Sequence, residues 1–230
     1  DLANPNATIT LTGRGRPCPV RPGTSVVQTG NQCAYTCLAD FHDLNGDRNA
    51  AVSDGCEYAC TFVSTDDEPD DVFQDGNCDG IDGDIATGIF VAATGLAGNP
   101  GTITQPLNSV TNGIARAVAL GRTEVYVSEG EYAGRVTLVN GVSIFGGYSA
   151  AQGWRRSASF TSTIRGNALT SGRMSAVEGT GITGLTIDRM RLIANGTTAR
   201  AAAQAGAACA FGTPSRRLPI SRGAIDCTAP

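Results

Sequence analysis

EVYVSEGEYAGRVTLVNGVSIFGGY, residues 124–148, is the stretch on which the reading of the fold turns. It holds three short β-prone runs, 125–127 (VYV), 136–139 (VTLV) and 142–145 (VSIF), separated by Gly130, Asn140-Gly141 and Gly146-Gly147. Val, Ile, Tyr and Phe suit a pleated, half-buried surface. Asn-Gly and Gly-Gly steps supply the positive φ that tight corners need. Alone, the stretch reads as a pair of hairpins. The spacing downstream points elsewhere. Tyr126 to Ile144 is 18 residues (144 − 126), Ile144 to Ile164 is 20 (164 − 144), and Ile164 to Leu185 is 21 (185 − 164). One β-prone run every 20 or so residues predicts a coil of stacked rungs. Each rung would leave its apolar face open unless a neighbour covered it. On that reading Tyr126, Ile144, Ile164 and Leu185 stand in one column. The competing reading is an antiparallel sandwich, whose turn signals come about every 8–12 residues. Intermediate runs such as 136–139 and 174–177 would suit it.

The totals agree with a β-rich chain. The 230 residues make one or two domains. Aromatic residues are 6% and Gly numbers 30, which implies many turns and a small-residue interior. All 17 basic residues are Arg, and the net charge is −4. The charge is unevenly spread. Residues 1–84 hold 15 acidic residues and 4 Arg, net −11; residues 85–230 hold 6 acidic residues and 13 Arg, net +7. A boundary near residue 85 follows. No run approaches the roughly 18 apolar residues of a membrane span, and the chain is read as having no nucleic-acid partner.

Six of the eight cysteines lie before residue 79: Cys18, Cys33, Cys37, Cys56, Cys60 and Cys78. Such crowding fits a small module stapled by disulfides in an oxidising, extracellular or cell-surface compartment. Six cysteines allow fifteen pairings, among which spacing does not choose. The CxxxC pairs Cys33/Cys37 and Cys56/Cys60 also fall within ligand spacing for structural zinc, but oxygen-rich loops between them favour disulfides. The chain opens on Asp1 with no signal peptide, so a leader removed from the chain, or a fragment, is expected.

In chain order, 1–32 reads as an extended lead-in broken by Pro5, Pro17, Pro19 and Pro22, with 8–12 its one strand-like run. Asn6-Ala7-Thr8 matches a glycosylation acceptor by chance. Residues 33–85 form the Cys- and Asp-rich module. Residues 86–198 follow as the stacked domain. Within it Leu107, Val110, Ile114, Ala117 and Val118 make a helical stripe over 107–120, with Asn108 or Ser109 to cap it and Gly121 to end it. That helix is placed to cover the open apolar end of the stack. Trp154, flanked by Arg155 and Arg156, is read as packing its loop onto the strands. Residues 199–230 form an irregular Ala/Arg-rich tail in which Cys209 and Cys227 would close a loop.

The acidic loops carry the sharpest chemical signal. Ca²⁺ takes six to eight oxygen ligands, so a loop that binds it sets carboxylates at alternate positions. Asp75, Asn77 and Asp79 stand at positions 1, 3 and 5, Gly80 at the turn position 6, and Asp82 and Asp84 at 8 and 10. Position 12 is Ala86 instead of Glu. Asp43, Asn45 and Asp47 repeat the 1-3-5 spacing with Asp54 at 12 and Glu57 beyond, while Arg48 replaces the turn Gly. The bland alternative is an Asp-rich turn bonding its own backbone. His42, the one histidine, is read as a turn or surface residue. Sugar hydrolysis would need two carboxylates facing one groove. The strand-borne candidates are Glu124, Glu129, Glu131 and Asp188, with Arg135, Arg189 and Arg191 nearby, and no catalytic residue is assigned.

Two stretches together resemble secreted bacterial surface proteins with a right-handed parallel β-helix of the pectin-lyase-like superfamily. IFVAATGLAGNPGTITQPLNSVTNGIARA is similar to that family's opening strand, NPGT loop, Pro and cap helix, and VYVSEGEYAGRVTLVNGVSIFGGYS to its first rungs. Upstream, DLNGDRNAAVSDGCEYAC and DDEPDDVFQDGNCDGIDGD resemble the Cys/Asp-rich metal-binding leader of such proteins. The resemblance implies a mainly β chain. Its parts are a small disulfide-rich, Asp-rich module and a short right-handed parallel β-helix with an N-terminal cap helix. It implies a non-catalytic, calcium-stabilised surface module that presents a face for adhesion or for an extracellular polysaccharide. A fragment of a polysaccharide lyase or glycoside hydrolase is the alternative. No residue matches a lyase catalytic motif, and fold alone does not carry activity.

Overall fold

The computed structural model describes residues 16–166, 168–170, 173–194, 218–220 and 223–228. Among the described residues the fold is mainly β with one α-helix, and the chain divides into two compact units, Asp1–Phe62 and Val63–Pro230. The boundary therefore falls at 62/63. The acidic segment 63–84 belongs with the strands that follow it.

In the first unit β1 (Thr24–Thr29) and β2 (Gln32–Cys37) form an antiparallel hairpin turning at Gly30, whose φ is +62°. β3 (Phe41–His42) and β4 (Tyr58–Ala59) add a second short antiparallel pair. Thus part of the expected extended lead-in is strand, and the run 8–12, like Asn6, lies outside the described residues. Little apolar surface is buried: Tyr35 is covered, under the Arg21 guanidinium 4.0 Å above its ring, while Val27 and Val52 are exposed. A unit with so small a core depends on cross-links. Cys18–Cys33 and Cys37–Cys56 are disulfides, Cys60 and Cys78 are disulfide-bonded as well, and no free cysteine occurs among the described residues.

The second unit is organised by parallel pairing. Its elements are β5 (Ile89–Val91), α1 (Val110–Leu120), β6 (Glu124–Ser128), β7 (Gly130–Ala133), β8 (Val136–Thr137), β9 (Ser143–Ser149), β10 (Arg155–Arg156) and β11 (Ser162–Gly166). Then come β12 (Ala168–Thr170), β13 (Arg173–Ile182), β14 (Leu185–Asp188), β15 (Met190–Ala194), β16 (Leu218–Ile220) and β17 (Gly223–Thr228). In the first sheet β5, β6, β9 and β14 lie side by side and parallel, with β10 and β16 added antiparallel. In the second, β7, β11 and β15 are parallel. In the third, β8 runs parallel to β13, and β12 and β17 pair with β13 antiparallel. The sheets are thus mixed, with strand segments inside the stretch expected to be an irregular tail. Cys209 lies outside the described residues, and with it the expected closure to Cys227.

Two columns run across the first sheet. Ile89, Val125, Ile144 and Ile187 are in register and line the main apolar core. Phe90, Tyr126, Phe145 and Asp188 are in register on the opposite face. Three of these four join Ile81, Tyr148 and Trp154 in a second, largely aromatic cluster. Burying one Ile or Val side chain contributes about 1.5–3 kcal/mol, so both faces of this sheet stabilise the unit. Across the second sheet Tyr132, Ile164 and Leu192 are in register and face the main core.

The single column expected from the spacing is corrected here. Tyr126 stands opposite Phe145 instead of Ile144, Ile164 belongs to the second sheet, and Leu185 precedes the true partner Ile187 by two residues. Stacked positions in the first sheet are 36, 19 and 43 residues apart (125 − 89, 144 − 125, 187 − 144). The 20-residue step from Ile144 to Ile164 passes from one sheet to the next.

The helix starts one turn later than the stripe predicts. Ser109 caps it by accepting the Asn112 amide, and Gly121 ends it at φ +65°. Val110, Gly113, Ile114 and Ala117 are buried, and Val118 is exposed. Leu107 is buried outside the helix, bridged to Val91. Gly113 is required by close approach, since a Cβ there would stand 2.6 Å from Val91 Cγ2 and 3.0 Å from Val125 Cγ1. The helix therefore lies directly on β5 and β6.

Candidate metal loops and a buried charge cluster

The two acidic loops adopt the same hydrogen-bond scheme. In the first, Asp43 Oδ1 accepts the Asp47 amide at 3.0 Å, Asp43 Oδ2 accepts the Arg48 amide at 3.1 Å, and Asn45 Oδ1 accepts the Asp47 amide at 3.0 Å. In the second, Asp75 Oδ1 accepts from Asp79 at 3.2 Å, Asp75 Oδ2 from Gly80 at 2.7 Å, and Asn77 Oδ1 from Asp79 at 3.0 Å. Short polar side chains at alternate positions make such turns by bonding backbone two residues on. The same acceptor oxygens are hard ligands of the kind Ca²⁺ takes.

The surroundings differ. Around the first loop Asn45 Nδ2 donates to Asp54 Oδ1 at 3.2 Å, and Glu57 Oε1 accepts the Leu44 amide. Asp47 Oδ1 is buried with no hydrogen-bond partner. Desolvation pushes the Asp43 pKa up, but the Arg48 and Asp47 amides and the Arg48 guanidinium outweigh it and hold it below the usual carboxylate range. Around the second loop, Asp79 Oδ1 accepts the Ile81 amide and Oδ2 the Ile85 amide. Burial raises the Asp79 pKa, and the charge of Asp75 adds to the rise. Nine acidic residues and no basic one occur between residues 63 and 84. Among the described residues, no three carboxylates of either loop bring oxygens within 4.8 Å of one another. A cation seated there would draw part of its shell from Asn45 or Asn77, backbone carbonyls and water. Both donor sets fit a hard cation, and the partnerless Asp47 oxygen supports the fit at the first loop. Cys60 and Cys78, with sulfurs in disulfides, offer no thiolate to zinc. His42 sits in β3, half-buried, with Nε2 3.1 Å from the Cys60 carbonyl.

Asp82 and Asp84, expected in the ligand set, turn elsewhere. Asp84 Oδ1 accepts the Ala86 and Thr87 amides and closes a local turn. Asp82 is buried, with Oδ1 accepting the Asp70 amide and Oδ2 3.0 Å from Arg156 Nη1. The reason is Arg156, which spacing alone did not single out. Its guanidinium is fully buried on β10, where an unpaired cation is strongly unfavourable. Nε donates to the Gly146 carbonyl and Nη1 to the Asp70 carbonyl, each at 3.0 Å, while Nη2 pairs with Asp188. Two buried carboxylates share this guanidinium, and Asp188 Oδ1 has no hydrogen-bond partner. Burial, only partly offset by Arg156, raises the Asp82 pKa to about 7.

Searches of protein-family models, curated proteins and solved structures find no match.

The same segment is fastened at further points. Tyr148 donates its hydroxyl to the Asp82 carbonyl, and the Asp84 amide donates to the Tyr126 hydroxyl at 2.8 Å. Ile81 enters the aromatic cluster, and Gly83 and Gly88 press on the Tyr126 ring where a Cβ would collide. Trp154 is buried on Phe90, its Nε1 donating to the Ile103 carbonyl at 3.0 Å, as its loop-packing role requires. The charges considered for catalysis are largely engaged. Glu131 pairs with Arg165, Arg135 with Glu178, Arg189 with Asp71, and Glu129 accepts from Ser149. Glu124 accepts from Tyr126, and burial raises its pKa. Arg191 Nε is buried without a partner.

Proposed function

We propose that the chain is a non-catalytic, calcium-stabilised module of the extracellular space or cell surface. Its strands form a short right-handed parallel β-helix of the pectin-lyase-like kind, and it presents a face of that coil for adhesion or to an extracellular polysaccharide. The supporting observation is the order in which the chain visits its sheets. β6, β7 and β8 enter the first, second and third sheets in turn, and β9, β11 and β13 do so again, each parallel to its predecessor. Such pairing would present a laterally extended face. The disulfides agree with an oxidising compartment. Among the described residues no helix is long and apolar enough to cross a membrane. Asp75, Asn77 and Asp79 would hold Ca²⁺, which would neutralise a segment that has no basic residue of its own.

Two measurements test this. Calorimetric titration of the disulfide-intact chain should give heat with Ca²⁺, and heat from Zn²⁺ alone overturns the metal assignment. Co-sedimentation with a panel of insoluble or bead-coupled polysaccharides should show binding that weakens on chelation. Release of unsaturated products from acidic polysaccharides, read by absorbance, would instead establish the lyase alternative.

A further inference from the structure

The two loops share Asp, Asn and Asp at positions 1, 3 and 5. Residue 4 of each takes a left-handed backbone, Gly46 at φ +74° and Cys78 at φ +58°. At residue 6 they part. Gly80 turns at φ +110°, while Arg48 keeps a negative φ and carries a side chain back into its own loop. Its Nη1 lies 3.1 Å from Asp43 Oδ2, the same oxygen that accepts the Arg48 amide. The Asp43 side chain is 1% exposed and the Arg48 side chain 42%, so the carboxylate is covered while the guanidinium stays open to solvent on one side. Arg48 is itself anchored, because Arg21 donates to the carbonyls of Arg48 and Ala50.

We propose that Arg48 is a resident counter-ion, which holds the first loop in its cation-ready shape and keeps Ca²⁺ out of it. The second loop, with Gly80 in that place, is then the chain's Ca²⁺ site; this last step rests on the reading under Proposed function. Electrostatics argues for exclusion. A divalent ion between Asp43 and Asp47 would have to share the covered Asp43 carboxylate with the guanidinium already paired to it, and the two like charges would repel. The buried Asp47 Oδ1, which has no partner, is the oxygen such an ion would take once the guanidinium is gone.

The test is a set of Ca²⁺ titrations on the full, disulfide-intact chain. The wild type should bind one equivalent, abolished by Asp75→Asn. Arg48→Gly and Arg48→Met should each bind two, and Asp54→Asn should remove the added one. The Met variant separates the guanidinium from the backbone freedom of Gly, and a gain in Arg48→Gly alone overturns the counter-ion role. Two equivalents in the wild type, a single site that survives Asp75→Asn, or Arg48 variants that gain none also overturn it. A wild type that binds no Ca²⁺ removes the reading of the second loop. The Arg48 variants then still decide this proposal by gaining one equivalent or none. Amide resonances of the wild type give a readout independent of any variant's folding: Ca²⁺ should move Asp79 and Gly80 and leave Asp47 and Arg48 in place. Movement of both sets overturns the proposal.

Discussion

Replacing Arg156 by Met keeps an unbranched, flexible stem and removes the guanidinium with its charge. Asp82 and Asp188 then lose the guanidinium they share, together with its bonds to the Gly146 and Asp70 carbonyls. Breaking a buried pair by removing one partner costs about 3–5 kcal/mol. The unit concerned spans Val63–Pro230, or 168 residues (230 − 63 + 1). At about 2–4 °C per kcal/mol for that size, its Tm should fall by roughly 6–20 °C. Trp154 packs on Phe90 and Tyr148 within the adjoining cluster, so its fluorescence reports urea unfolding of this region directly.

The pH dependence gives a second, signed check. Asp82 is raised to about 7, above the ordinary Asp value of about 3.9. The folded state therefore binds this proton more tightly than the unfolded chain does. Its contribution is complete below about pH 4 and is lost as pH rises through 7. Arg156 is the chief influence opposing the rise. Without it the rise is larger, so Arg156→Met should lose more stability at pH 8 than at pH 5. Adding Asp82→Asn and Asp188→Asn should recover most of the loss, since an apolar or neutral replacement of a whole buried cluster is often close to neutral. A loss below about 1 kcal/mol at pH 7, or equal losses at pH 5 and pH 8, would refute the reasoning.

Other changes test other parts of the fold. Gly113→Val should cost about 1–3 kcal/mol by overpacking the helix against Val91 and Val125, measured by urea melts. Ile144→Ala, in the middle of the inner column of the first sheet, should cost about 2–5 kcal/mol by the same assay. Opening Cys18–Cys33 or Cys37–Cys56, with separations of 15 and 19 residues, should cost the first unit about 3 kcal/mol apiece. Hydrogen exchange of β1 and β2 amides would show it as lost protection. Ca²⁺ affinity should fall as pH drops from 7 to 5, because burial raises the Asp79 pKa and a protonated carboxyl must release its proton to bind metal. Titrations at the two pH values in buffers of different ionisation heat would count the protons.

What was legible in the sequence depended on whether a local signal had one physical cause. The 1-3-5 spacing did, because short side chains at alternate positions bond the same backbone amides wherever they occur, and both loops show it. The helix caps Ser109 and Gly121 were readable for the same reason. The 20-residue spacing had two causes that look alike. A step within a sheet from Val125 to Ile144 and a step between sheets from Ile144 to Ile164 are nearly equal in length. The 150–161 loop happens to be long enough to make them so. The burial of 81–85 was hidden for a different reason. Its setting, DGIDGD over 79–84, is half Asp and reads as solvated, and one Ile and two Gly within it give no amphipathic pattern. Yet the sheet it covers carried the complementary signal. Ile89-Phe90-Val91 and Val125-Tyr126-Val127 are apolar on both faces, and a strand that alternates toward water is not. Three consecutive apolar residues in neighbouring parallel strands require a cover on the outer face. A buried Arg beside an acidic segment is then the natural place to look for what fastens it.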